Sequence, residues 1–368
     1  MLYTNMKNIV WLMILCNLIL YTYQIPLPIS LKEKPNKLSK IRILMYTPFF
    51  GSRDITQFNK CKPINCEFTN DKSLFKQSDA VVFHFADINS ADLPSRAFTN
   101  QKFVYFTLES PFTTNRLYSP KNFFNWIMSY NDKSDAQSIY GNKWIKSNNF
   151  TNKMEFNPNK ILSKKQIKGT IGYISNCYSN SAREIIIDKL SNYTNVVIKG
   201  RCEKNTKDNK SCPKNDLTCE KNEFESYYFY FALENAICNS YITEKYWNRY
   251  TYDSIPIVMK RYIYTDYGVP NSSFIAVDDF KSAKEMGTYL NYLMDNPKEY
   301  LKYFEFRNGK IQTINGEINS LTNSVCSLCG TLRKKRNEKK IIENVSKTFN
   351  DINKCISKNE MHTYTKAW

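Results

Sequence analysis

The sequence predicts an α/β protein: two Rossmann-like domains facing each other across a cleft, after an N-terminal membrane anchor and stem. Three observations predict it. Short β-branched or aromatic runs alternate with helical patterns in both halves of the chain. A polar, pattern-poor stretch over 143–168 separates the two series. An apolar run near the start belongs to neither.

That run, Ile9 to Leu20, extends with Tyr21, Tyr23 and Ile25 to 17 residues, the short edge of what a membrane helix needs. A signal-anchor and a cleaved signal peptide share this layout, and the lack of a small-x-small cleavage site favours the anchor. Lys7 precedes the span while Lys32, Lys34, Lys37 and Lys40 follow it, opposite to the usual charge bias. Residues 1–25 are thus read as tail and anchor, and 26–40 as a Pro/Lys-rich stem. An N-terminal α/β domain follows over 41–160, a second over 161–335, and a tail over 336–368.

In the first domain Ile41–Tyr46, Ala80–Phe85 and Phe103–Thr107 read as buried strands. In the second, Thr170–Ser175, Val196–Lys199, Phe229–Leu233, Ile255–Met259 and Phe274–Val277 read as strands. Helices are expected over Ala182–Leu190, Glu244–Tyr250 and Ala283–Met294. Ser282 and Glu285 form a capping box for the last, whose Met286, Tyr289, Leu290, Leu293 and Met294 share one face. Ser181 and Glu184 are expected to cap the first in the same way.

The 368 residues carry a formal net charge of +18. A basic balance suits an anionic partner, but the lysines are scattered, whereas a nucleic-acid footprint gathers on one arm or helix. Asn-x-Ser/Thr sequons stand at Asn149, Asn192, Asn209, Asn271 and Asn344. Cys16 falls in the apolar span; the ten other cysteines, closely spaced at Cys61/Cys66, Cys202/Cys212/Cys219 and Cys326/Cys329, suit disulfides in an oxidising lumen. Cys326-x-x-Cys329 could instead hold zinc, but the only histidines are His84 and His362 and no second such pair exists.

The chemistry concentrates in YYFYFALENAICNSYITEKYWNRYTYDSIPIVM, residues 227–259, which sets Glu234, Asn235, Glu244 and Lys245 between two apolar runs. Polar loops between buried strands and helices are where α/β enzymes build ligand sites. Arg183 and Lys245 each fall in the first turn of a predicted helix, where a cation opposes the dipole. A diphosphate would require that placement; the plain alternative is surface pairing with Glu184 or Asp188, and with Glu244 or Asp253. No Asp-x-Asp, the usual metal-bridging pair, occurs. On the other half, Glu109 ends the run FVYFTLESP, and a carboxylate at a strand end suits a general base.

The 227–259 run resembles the donor signature of glycosyltransferase family 10 α1,3-fucosyltransferases: F-x-L-x-F-E-N-S, D-Y-I-T-E-K-x-W and V-P-I-V. The resemblance covers about residues 40–335 and implies a GT-B arrangement. It implies that Arg183 and Lys245 clamp the donor diphosphate, that Glu244 bonds sugar hydroxyls, and that Asn235 and Tyr241 contact the donor. Glu109, in E-S-P, stands at the base position. IKGRC at Ile198–Cys202 and Lys260-Arg261-Tyr262 resemble further family loops. His84, Asp87 and Trp126 match acceptor-side elements, but Phe85, Ala86, Ile127, Asn131 and Ala236 depart from the family pattern.

The resemblance therefore implies transfer of L-fucose from GDP-β-L-fucose, with inversion and no required cofactor or metal, to the 3-OH of GlcNAc. The S-N-C loop and Cys202–Cys219 cluster look like core-type enzymes of invertebrates, which act on N-glycan cores. Antennal Lewis-type transfer, or an inactive glycan-binding protein on the same fold, are the alternatives. A type II Golgi membrane protein with a lumenal catalytic domain is expected, and no nucleic-acid partner.

Overall fold

The computed structural model describes residues 40–56, 65–141, 144–146, 154–203, 212–213, 216–308, 311–313 and 320–368. The anchor and the stem up to residue 39, together with Cys61, Asn149 and Asn209, lie outside the described residues. Among the described residues no helix is long and apolar enough to cross a membrane.

The first sheet is six-stranded and parallel: β1 (Ile41–Met45), β2 (Cys66–Thr69), β3 (Ala80–His84), β4 (Lys102–Phe106), β5 (Trp126–Ser129) and β6 (Ala136–Gln137), in the order β2-β1-β3-β4-β5-β6. Every residue of β3, β4 and β5 is buried, which is why these strands read as unbroken apolar runs rather than alternating ones. A one-turn helix α1 (Pro111–Thr114) follows β4, started by a proline that needs no amide partner there.

The presumed connection carries structure. β7 (Trp144–Lys146) pairs antiparallel with a distant strand near residue 311, and α2 (Pro158–Ser163) is capped by Asn157. Then come β8 (Ile167–Tyr173), α3 (Arg183–Leu190), β9 (Val196–Lys199), α4 (Leu217–Ser226), β10 (Tyr227–Phe231), α5 (Glu244–Trp247), β11 (Ile255–Val258), α6 (Arg261–Asp266), β12 (Ile275–Ala276), α7 (Ala283–Asp295), α8 (Pro297–Lys302), β13 (Ile311–Thr313) and α9 (Ser320–Lys335). The second sheet, also parallel, runs β12-β11-β10-β8-β9. Ser282 caps α7 by accepting from the Glu285 amide, while Glu285 reaches back to the Lys281 amide.

Residues 336–368, expected as a tail, carry α10 (Val345–Asn353) and α11 (Lys358–Ala367). Val345 and Phe349 bury against Tyr105 and Tyr130 on one face of the first sheet, and Met361 and Trp368 enter the core of the second. On the other face of the first sheet Val325, Leu328 and Leu332 of α9 pack on Ile43, Val82 and Trp126. Cys66–Cys329, Cys177–Cys202, Cys212–Cys219 and Cys238–Cys355 are disulfides. Cys326 is disulfide-bonded as well, so the zinc alternative for Cys326 and Cys329 falls.

Candidate active site

The carboxyl ends of β4 and β10 approach one another, and Glu109 and Glu234 follow them. Glu234 is buried and fully engaged: its carboxylate accepts from the Thr243 amide (2.7 Å) and hydroxyl (2.9 Å) and lies 3.2 Å from Lys245 Nζ. It therefore fixes the start of α5, whose N-cap is Thr243. Lys245 Nζ also reaches Glu244 (3.0 Å) and Thr243 Oγ1 (3.0 Å). Burial acts to depress this amine, but Glu234 and Glu244 outweigh it and hold it above the ordinary lysine value. The plain alternative for Lys245, a pair with Glu244, thus exists, alongside a second carboxylate contact with Glu234.

Arg183 opens α3, as expected, but not by the expected cap. Ala182 holds the N-cap position at φ 52°, with no side-chain bond. Ser181 is spent elsewhere: its hydroxyl donates to the Glu234 carbonyl (2.6 Å) and its amide to Asn235 O (3.1 Å). Closing off the buried end of β10 outranks capping a helix near solvent. Glu184 accepts from the Ser179 hydroxyl at 2.8 Å. Arg183 itself is 2% exposed, with Nη1 donating to Leu233 O (2.6 Å) and Nη2 to Asn176 O (3.0 Å). Its buried Nε has no hydrogen-bond partner among the described residues. Burial lowers its pKa, while Glu234 and Glu184 oppose the shift. Neither plain alternative holds for it: it makes no carboxylate pair with Glu184 or Asp188 among the described ion pairs, and it shares Glu234's field with Lys245.

Glu109 faces this group from the other sheet. Burial raises its carboxyl pKa, Lys245 pulls it down, and Glu244 and Glu234 push it up again. A wall of tyrosines completes the junction. Tyr130 and Tyr241 rings lie 4.8 Å apart, Tyr241 Oη donates to Asn235 Oδ1 (3.2 Å), and Tyr140 Oη donates to Leu108 O (2.6 Å), the carbonyl just before Glu109. Gly141, next to Tyr140, lies so close to the Trp247 ring that a Cβ there would meet it at 2.0 Å. Burial and Glu109 together drive Tyr130 and Tyr140 well above the ordinary phenol range. Sequence reading gave neither tyrosine a role of its own.

Beside Arg183, the loops after β8 and β9 enclose a cavity of about 690 Å³ lined by Asn176, Tyr178, Arg183, Asp188, Val197 and Arg201. The Cys177–Cys202 disulfide ties its two loops together.

The acceptor-side candidates separate. His84 Nδ1 lies 2.6 Å from Asp87 Oδ2, and His84 is fully buried at the end of β3, between β1 and β4. Trp126 does not join them. It lies opposite Val104 in mid-sheet, fully buried under α9, with Nε1 donating to Glu338 (3.3 Å). An indole in that position stabilises the core and cannot meet a substrate at the strand ends. Two departures from the family pattern also prove structural. Asn131 donates to Asn239 O, Ile352 O and Asn353 Oδ1, stitching the sheets and α10 together, and Ala236 is buried against Tyr241.

Comparison with known proteins places this geometry. The fucosyltransferase N-terminal family matches residues 38–141, and the glycosyltransferase family 10 (fucosyltransferase) C-terminal family matches residues 162–348. The chain belongs to the family 10 fucosyltransferases. It is 32% identical to the alpha-(1,3)-fucosyltransferase fut-5 of Caenorhabditis elegans over 84% of its own length and 83% of the relative's. It is 34% identical to fut-1 of the same organism, over 74% of this chain but only 61% of that relative. The mouse 4-galactosyl-N-acetylglucosaminide 3-alpha-L-fucosyltransferase 9 is 31% identical over 74% of this chain and 73% of its own. Among solved structures, an alpha1,3-fucosyltransferase with GDP superposes with a TM-score of 0.53 at 18% identity, covering 85% of this chain and 95% of that one. That likeness is one of fold.

Proposed function

We propose that this family 10 fucosyltransferase transfers L-fucose from GDP-β-L-fucose to the 3-OH of a GlcNAc residue, with inversion, on a GT-B framework. The single observation that carries the reading is the opposition of Glu109, on the first sheet, to the Lys245–Glu234–Glu244 group on the second. Glu109 removes the proton of the acceptor 3-OH as that oxygen attacks the fucose anomeric carbon. The bond from this carbon to the β-phosphate oxygen breaks, and GDP leaves with the electron pair. Lys245, exchanging Glu244 for phosphate, and Arg183, behind the loop that it buttresses, offset the developing charge. Asn235, Tyr241 and Glu244 orient the sugar, and the cavity beside Arg183 takes the nucleoside. No metal or cofactor is assigned a step.

The acceptor we favour is the innermost GlcNAc of N-glycans, supported by the S-N-C loop and its cysteines. The setting is the Golgi lumen, supported by the disulfides and the apolar run over residues 9–25. Incubating the purified lumenal chain with GDP-fucose and one defined N-glycan, then mapping the linkage by mass spectrometry, tests the reading. Fucose on the innermost GlcNAc is expected; fucose only on an antenna makes the enzyme Lewis-type. Binding of the glycan without GDP release, unchanged in Lys245→Met, makes it a lectin.

A further inference from the structure

We propose that Phe50 is an acceptor-binding residue, its ring stacking on the C–H face of a sugar held over a polar cavity beside it. The proposal deepens the transfer reading and rests on it for the identity of the sugar.

Phe49 to Ser52 close a two-residue hairpin after β1: Phe49 N donates to Ser52 O (2.8 Å) and Ser52 N to Phe49 O (3.1 Å). Phe50 and Gly51 both take positive φ, 49° and 78°. Such turns favour Asn-Gly or Gly-Gly, and a bulky side chain in the left-handed region costs about 1–2 kcal/mol. Phe50 recovers little of this by burial, since it is 59% exposed. An unfavourable conformation persists only where its surroundings enforce it, and such residues gather at functional sites.

The surroundings here are built for that purpose. Asp87 accepts both the Phe50 amide (2.9 Å) and the Gly51 amide (2.9 Å), and His84 holds Asp87 from below. The Phe50 ring packs edgewise on His84 with centroids 4.5 Å apart, leaving one face to solvent. His84 and Asp87 therefore act through the turn, as positioning residues. The turn stands at the lip that carries Glu109: Phe49 stacks on Phe106 at 5.7 Å, and Phe106 ends β4 three residues before Glu109. Immediately beside the turn is a cavity of about 220 Å³ whose polar lining includes Thr47, Arg53, Asp87, Asn89 and Asp92. An exposed aromatic face next to convergent hydrogen-bonding groups is the chemistry that recognises a saccharide: ring C–H groups on one side, hydroxyls on the other.

The test is titration calorimetry of N,N′-diacetylchitobiose and N-acetyllactosamine into the lumenal chain saturated with GDP, for wild type, Phe50→Asn and Phe50→Tyr. Asn suits the left-handed turn position, so Phe50→Asn should melt no lower than wild type. It should weaken binding of the preferred sugar about tenfold or more, and Phe50→Tyr should hold it within about threefold. GDP affinity should not change in either variant. Sugar affinity in Phe50→Asn within about twofold of wild type, or no binding of either sugar by wild type, overturns the proposal. A wild type that binds sugar but transfers no fucose defeats the transfer reading and leaves this inference standing.

Discussion

Both ends of the second sheet bury charge, and they use it in opposite ways. At the amino end Lys164 bonds Glu225 (2.7 Å) and Asp253 (2.6 Å), Arg307 closes on the other Asp253 oxygen (2.6 Å), and Lys165 donates to the carbonyls of Glu225, Tyr227 and Asp253. Each carboxylate there has a cation in contact. At the carboxyl end Lys245 answers both Glu234 and Glu244, while Glu109, facing them from the first sheet, has no ion pair among the described residues and has its charge resisted by those two carboxylates. Matched charge rigidifies a scaffold; mismatched charge costs stability and stores reactivity. The contrast separates a network paired throughout from one with a carboxylate left without an ion pair among the described residues.

Three substitutions and a pH profile would break or sharpen that contrast. The largest effect is expected for Glu109→Gln: transfer should fall by about 10²–10⁴ with GDP affinity retained, measured by turnover and calorimetry. The same variant carries a stability test. A carboxyl whose folded pKa is raised costs nothing below its unfolded value near ~4.3 and its full cost above the folded value. Glu109→Gln should therefore melt higher than wild type at pH 7, and no higher at pH 4. Arg307→Met should do the reverse, losing about 3 kcal/mol of stability in denaturant while leaving the KM for GDP-fucose unchanged. A shifted KM there would erase the division between the two ends.

Tyr140→Phe removes one hydrogen bond to the carbonyl before Glu109, worth about 1 kcal/mol, and should lower kcat about fivefold with donor KM unchanged. A smaller displacement is expected in the pH profile. Because burial holds the Glu109 carboxyl above its ordinary value, the acidic limb of kcat/KM should lie above the range of an exposed glutamate. An acidic limb at the ordinary value would mean that Glu109 titrates in open water.

Much of this contrast was legible in the chain. The five strands of the second sheet and three of the first, β1, β3 and β4, announce themselves as short β-branched and aromatic runs, and Val196–Lys199 is matched to the residue. By contrast, β2, β5 and β6 are not among the strands expected from the sequence. The 227–259 run also singled out Glu234 and placed Lys245 in the opening turn of a helix. What escaped depends on contacts far apart in sequence. Ser181 looks like a cap because its spacing to Glu184 is right, yet the buried carbonyl of Glu234 claims its hydroxyl. Trp126 sits in a motif shared with acceptor elements, but its register opposite Val104 buries it in mid-sheet. Residues 345–353 do carry an apolar stripe, Val345, Phe349 and Ile352, which a search for helical spacing in the assumed tail would have found. The Cys238–Cys355 pairing has no local signature at all.

That last bond bears on biosynthesis. Cys238 lies in the loop holding Asn235 and Tyr241, and its partner is 117 residues downstream. Cys66, near the first strand, waits across 263 residues for Cys329. Synthesis must therefore reach Cys355 before the loop of Asn235 and Tyr241 can receive its covalent brace, so shorter nascent chains hold Cys238 without that partner.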